Sequence, residues 1–219
     1  MTRQPQPEPQ RVLVLSPHPD DEAIGCGGTL RRHVLAGDEV RLLFLTSGEN
    51  GGHGAPPEVT AQVREAEARA AADILGFSRI EFWRQPDGHL RVNGNLIGRL
   101  QALVKAWRPH LIYVTHPAEM HPDHRAAARL VRQSLSASRP GRPVPVVRMY
   151  EVWTPLQRMD EVVDIASEME TKLAAIRAYA SQCQVLRFDD AALGLNRYRG
   201  EMHCWPGGDY AEIFQWMKL

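Results

Sequence analysis

Short apolar runs alternate with longer stretches of helical periodicity along most of the chain. RVLVLSP (11–17) is apolar at nearly every position, without the polar alternation of a strand that faces water on one side. Such a run suits a strand buried on both faces of a parallel sheet. EVRLLFLTSG (39–48), RIEFWRQ (79–85) and HLIYVTH (110–116) read as further strands of the same kind. The stretches between them predict helices from about Ala23 to Leu35, from Val59 to a capping Gly76, from about Asn95 to Trp107 and from about His124 to Ala137. RMYEVW (148–153) predicts another strand and Ser167 to Gln182 a helix, whereas the last 37 residues carry too weak a period to assign an element.

Strands alternating with helices argue for an α/β, Rossmann-like layered fold with a mainly parallel sheet flanked by helices. In such sheets ligands bind beyond the carboxyl ends of the strands. The loops after the first four strands, at 17–22, 46–57, 85–89 and 115–124, are therefore expected to converge. One domain is expected over 11–219, preceded by a disordered tail at 1–10, because MTRQPQPEPQ offers almost nothing to bury.

Charge and composition narrow the partners. Basic and acidic residues number 26 each, so no excess charge favours nucleic acid or an anionic membrane surface. No run approaches the roughly 18 apolar residues of a membrane span, and the N-terminus lacks the apolar stretch of a signal peptide. The expectation is a soluble cytoplasmic protein. Cys26, Cys183 and Cys204 have no C-x-x-C spacing and suit reduced structural thiols.

The unusual chemistry lies in the loops expected to converge. SPHPDDEAIGCGG (16–28) puts His18, Asp20, Asp21 and Glu22 within five positions. Buried together and unpaired, such carboxylates are costly, so the cluster asks for a cation. His18 and Asp21, three apart, are able to face one point. HPAEMHPDHR supplies His116, His121, Asp123 and His124 directly after the fourth strand. Two imidazoles and a carboxylate from these loops form a ligand set of catalytic zinc, with a fourth position left for water. Alone, each cluster reads as a solvated acidic helix start or an ordinary loop histidine. Their predicted meeting at strand ends favours a metal.

PHPDDE followed by GCGGTL, with HPDHR about a hundred residues later, resembles the PIG-L/LmbE family of zinc-dependent deacetylases. TSGENGG, REAEARAAADILG, the PDG turn, KLAAIRAYASQ and YAEIF extend the likeness over most of residues 11–214. The resemblance implies a hydrolase that removes an acyl group, commonly acetyl, from an N-acylated amino sugar or related small amide. It implies Zn2+ held by His18, Asp21 and His124, a donor set that also suits Fe2+. Asp20 matches the general base for metal-activated water. His121 matches the histidine that, when protonated, steadies the oxyanion or helps protonate the leaving amine, and Asp123 the carboxylate that orients a histidine. Arg64 matches a substrate-binding arginine, with a solvated helix charge as its ordinary reading. Asp87, in the PDG turn, suits either the turn or a substrate contact. By the same analogy the protein is a homo-oligomer, trimeric or hexameric.

Glu119 is a departure from that pattern, because some sugar-thiol deacetylases of the family carry a tyrosine two residues before the first histidine of the second motif. His116 is expected to support its loop, and Asn50 and His53 lie in the glycine-rich loop after strand two. A nucleotide-binding α/β enzyme such as a methyltransferase is one rival reading, prompted by GCGGTL. Its glycines miss G-x-G-x-x-G, and the acidic loop before them would repel a phosphate. A metal- or carbohydrate-binding module of the same fold, without turnover, is the other.

Overall fold

In the computed structural model, which describes residues 8–136, 144–204 and 208–219, seven strands form one sheet. They are β1 (Arg11–Ser16), β2 (Glu39–Phe44), β3 (Arg79–Phe82), β4 (Leu111–Thr115), β5 (Val146–Tyr150), β6 (Glu161–Asp164) and β7 (Ala211–Trp216). Their order is β3-β2-β1-β4-β5-β7-β6. The first five neighbours run parallel, and β7 is antiparallel to both β5 and β6. The helices are α1 (Asp21–Leu35), α2 (Pro57–Leu75), α3 (Gly94–Trp107), α4 (Pro122–Ser136), α5 (Met169–Ala178), α6 (Ala180–Cys183) and α7 (Phe188–His203). The mainly parallel α/β expectation is met.

Successive residues of β1 serve opposite faces, as strand geometry requires. Val12 and Val14 join Leu42, Phe44, Tyr113 and Tyr150 in a core covered by α1, α2, α5 and α7. Leu13 and Leu15 join Leu43, Ile112 and Val114 in a second core under α3 and α4. Two covered faces are the reason these strands read as unbroken apolar runs.

α1 begins earlier than its pattern suggested, at Asp21, and is broken at Cys26, whose φ of −144° is not helical. The glycines around the break serve close packing. A Cβ at Gly28 would lie 2.8 Å from Ile165, and one at Gly25 would strike the Tyr150 ring. They sit inside the protein rather than in a phosphate loop, which removes the basis of the nucleotide-binding reading. The break frees two backbone N–H groups, and Glu212 accepts both, Gly28 N at 2.9 Å and Thr29 N at 2.8 Å, while Lys172 Nζ donates to it at 2.7 Å. Glu212 thus caps the second half of α1 as an N-cap side chain would.

The C-terminal segment without a readable period contains α7 and β7. Both bury polar residues that a hydrophobic pattern counts as surface: Asn196 and Arg199 on α7, and Glu212 on β7. Arg199 grips Glu151, Nη2 to Oε2 at 2.8 Å and Nε to Oε1 at 3.1 Å. The predicted helix over 167–182 is instead a 3₁₀ turn followed by α5 and α6, separated at Tyr179, whose ψ of 58° leaves the helical region. The expected end of α4 at Ala137, part of the proline-rich stretch and most of the expected tail lie outside the described residues. Among the described residues no helix is long and apolar enough to cross a membrane, and all three cysteines are free.

Candidate active site

The strand order reverses between β1 and β4, and an open α/β sheet carries its crevice at such a reversal. The loops leaving β1 and β4 meet there. His18 Nδ1, Asp21 Oδ2 and His124 Nε2 form a triangle with sides of 3.2, 3.2 and 3.1 Å. Hydrogen bonding alone does not satisfy three such atoms mutually, since each N–H points at one acceptor, and Asp21 Oδ2 already accepts the His18 backbone N–H at 2.9 Å. Tetrahedral zinc with bonds of about 2.0–2.1 Å spaces its ligand atoms about 3.3 Å apart, so the triangle fits one such cation.

Electrostatics points the same way. Burial opposes charge on His18 and His124, yet the surrounding carboxylates hold His18 well above its ordinary value and raise His124 to about 9. Burial opposes ionisation of Asp21 too, but His124 and His18 pull it far below the usual carboxylate range. The cluster recruits positive charge, which a divalent ion supplies in place of two protons.

Asp20 stands beside the triangle with a φ of 128°, a conformation that ordinarily costs a non-glycine residue about 1–3 kcal/mol. Several contacts hold it there. Its backbone N–H donates to Glu22 Oε2 at 3.3 Å, and Arg64 Nη2 donates to its Oδ2 at 2.9 Å and to the Pro19 carbonyl at 2.6 Å. Arg64 Nη1 also donates to the Gly48 carbonyl at 3.1 Å. Gly48 has a φ of 64°, and any Cβ there would run into this guanidinium. Arg64 is only 4% exposed, so the solvated-helix reading does not hold; its Nη1 and Nη2 donate to the protein, while its buried Nε has no partner among the described residues. Burial raises Asp20 to about 7, with Arg64 holding it lower than burial alone would. Glu22, beneath, accepts the Tyr179 hydroxyl and is raised by burial to about 8.

The other expected residues gather on the far nitrogen of His18. Nε2 lies 3.0 Å from Asp87 Oδ1 and 3.2 Å from Asp123 Oδ2. The histidine that Asp123 meets is His18. It also accepts Gly88 N at 2.7 Å and Leu90 N at 2.9 Å, tying the PDG turn to α4. Asp87 accepts Asn50 N at 3.0 Å, so Asn50 braces this turn. His121 Nδ1 accepts the Asp123 backbone N–H at 3.2 Å, which leaves the ring proton on Nε2. Burial and the neighbouring imidazoles lower His121, against the charged form expected from sequence. The four loops do converge.

A fifth loop takes part through a residue that sequence reasoning left without a role. Glu119 is 1% exposed and accepts the backbone N–H groups of Val152, Trp153 and Thr154 at 2.7, 3.1 and 3.2 Å. Its Oε2 lies 3.7 Å from His124 Nδ1, a buried atom with no closer partner. His116 supports the same junction, with Nε2 2.7 Å from the Thr154 carbonyl. The position of Glu119, two residues before the first histidine of HPDH, was the available signal. That it meets the loop after β5 was not readable.

A family model described as GlcNAc-PI de-N-acetylase, PIG-L, matches residues 13–135. Diacetylchitobiose deacetylase of Thermococcus kodakarensis is 31% identical over 192 residues, spanning 79% of this chain and 70% of that protein. The crystal structure of N,N'-diacetylchitobiose deacetylase from Pyrococcus horikoshii superposes with a TM-score of 0.84 at 25% identity, covering 96% of this chain and 84% of that one. A 4-carboxy-2-hydroxymuconate hydratase from Pseudomonas putida superposes at 0.82 with 24% identity, covering 96% and 97%, a likeness of fold alone.

Proposed function

The chain belongs to the PIG-L family of de-N-acetylases, and from that premise we propose that it is a metal-dependent hydrolase removing an acetyl group from an N-acetylated amino sugar or related small amide. One fold also carries a hydratase, so the side chains and not the fold decide the reaction. The observation that carries it is the His18, Asp21 and His124 triangle with a strained, buried carboxylate, Asp20, at its side.

His18, Asp21 and His124 would hold a divalent cation, Zn2+ on the donor set, with Fe2+ compatible with the same atoms. Such an ion supplies Lewis acidity and lowers the pKa of water. Asp20, raised to about 7, is suited to take a proton from the attacking water near neutral pH. Arg64 keeps that carboxylate aimed, and in this reading it positions Asp20 rather than gripping substrate. His121 donates from Nε2, as a neutral imidazole, to the carbonyl oxygen as negative charge develops. The proton on Asp20 then passes to the departing nitrogen as the C–N bond breaks, leaving a free amine and acetate. Asp87 and Asp123 fix the His18 ring.

Metal analysis of the purified protein, together with acetate release from N,N'-diacetylchitobiose and N-acetylglucosamine derivatives, tests this reading. About one metal per chain and metal-dependent acetate release are expected. A metal-loaded protein that turns over none of a broad N-acetyl-sugar panel supports the non-catalytic module instead.

A further inference from the structure

The break between α5 and α6 falls at Tyr179, within a run, IRAYASQC, that contains neither glycine nor proline. A helix interrupted without either calls for another cause. Two side chains three residues apart supply it. Tyr179 is fully buried, and its hydroxyl donates to Glu22 Oε1. Gln182 is 7% exposed, and its Nε2 donates to the Gly51 carbonyl at 3.2 Å.

Both contacts lead to Asp20, one to its backbone and the other to its carboxylate. Glu22 is inaccessible to solvent, and its Oε2 accepts the Asp20 backbone N–H at 3.3 Å. Ser16 Oγ, 3.4 Å from the same oxygen, donates more closely to the His18 carbonyl at 2.8 Å. Tyr179 is therefore the strong donor that fixes this carboxylate, and through it the residue whose φ is 128°. In the loop after β2, Gly51 N donates at 3.0 Å to the Gly48 carbonyl, the oxygen that also accepts Arg64 Nη1. A Cβ at Gly51 would lie 2.7 Å from Arg64 Nη1 and 3.2 Å from Gln182 Oε1, so this turn packs closely against both side chains. Gln182 thus backs Arg64, which holds Asp20 Oδ2 at 2.9 Å.

We infer that Tyr179 and Gln182 are positioning residues for Asp20. The α5–α6 break sets one brace behind its backbone, through Glu22, and a second behind its carboxylate, through Gly51 and Arg64. Backbone strain persists only where the surroundings over-determine it, and these braces come from a distant part of the chain. A carboxylate that must meet one water beside the metal triangle gains from a geometry fixed before substrate arrives. The inference rests on Asp20 as the general base.

Tyr179→Phe removes one oxygen and keeps the ring, and Gln182→Met keeps the length without a donor. With diacetylchitobiose as substrate, each should lower kcat about 10- to 100-fold, the larger figure being the effect of a misplacement of about 1 Å. KM should stay within about twofold, with full metal content, because neither residue touches substrate or metal. In an Asp20→Asn background the same substitutions should cost less than about twofold, because the carboxylate they aim is gone. Crystal structures of the unaltered chain and of Tyr179→Phe give a readout independent of turnover. Glu22 should turn away from the Asp20 N–H, since its Oε1 is left buried without a donor, and the φ of Asp20 should leave the positive region. Unchanged kcat, an equal loss in the Asp20→Asn background, or an Asp20 whose φ stays near 128° with Glu22 in place each overturns the inference. If the unaltered chain released acetate from no N-acetyl sugar, the proposed reaction would fail and the two structures alone would decide the positioning.

Discussion

Asp20, Asp21 and Glu22 are adjacent carboxylates in three environments. Asp20 is strained and paired with Arg64, Asp21 completes the imidazole triangle, and Glu22 is buried against Tyr179. Their asparagine variants should therefore fail differently. Asp21→Asn should lose most of its metal, measured by elemental analysis, because a neutral amide oxygen replaces an anionic ligand. Asp20→Asn should keep the metal and lose about 100- to 10,000-fold in kcat, the usual worth of a general base. A metal-free Asp20→Asn beside a fully loaded Asp21→Asn would exchange the two roles. Behind the triangle, Glu119→Ala should weaken metal binding about 10- to 100-fold in competition with a chromophoric chelator, as loss of a carboxylate behind a ligating histidine does. Unchanged affinity would confine Glu119 to anchoring the loop after β5.

At the scale of elements, α1 makes the largest demand on the rest of the chain. Its break at Cys26 lets the first half present Asp21 to the site while the second half packs on the sheet, and Glu212 of β7 caps the exposed N–H groups. Lys172 of α5 neutralises that carboxylate in an interior where both side chains are essentially inaccessible. Removing one partner strands a buried charge. Lys172→Met should cost about 3–5 kcal/mol in urea denaturation, and Lys172→Met with Glu212→Gln should recover part of it, since the amide oxygen still accepts from α1 while carrying no charge. A single variant within about 1 kcal/mol of the unaltered protein would count against a stranded charge at this position.

Across the whole molecule, the parallel sheet directs five loops to one end, and the order reversal between β1 and β4 opens the space they fill. Buried carboxylates from three of those loops, Asp20, Asp21, Glu22, Asp87, Glu119 and Asp123, crowd that space with Arg64 among them. A bound cation should therefore stabilise the folded state globally. At 100-fold excess over Kd the linkage is worth about 2.7 kcal/mol, or roughly 5–10 °C in Tm for a domain of this size. Chelator should lower Tm by about that much in the unaltered chain and leave Asp21→Asn unmoved. A Tm indifferent to chelator in the unaltered chain would argue against a resident metal.

Elements whose partners are local or whose faces are uniformly apolar were determined by sequence. β1, β2, β4 and the alanine-rich α2 followed from period and composition, because burial on both faces needs no knowledge of which element does the burying. PHPDDE and HPDHR likewise marked a metal-type cluster, since those residue types in strand-end loops have few other uses. Tertiary structure alone decided the rest. α7 and β7 hide Asn196, Arg199 and Glu212 in the interior, where partners 15 to 184 residues away satisfy them, and a pattern of polar and apolar letters does not reveal a distant partner. Arg64 reads as surface for the same reason, until Pro19, Asp20 and Gly48 are brought to its guanidinium by the parallel pairing of β1 with β2.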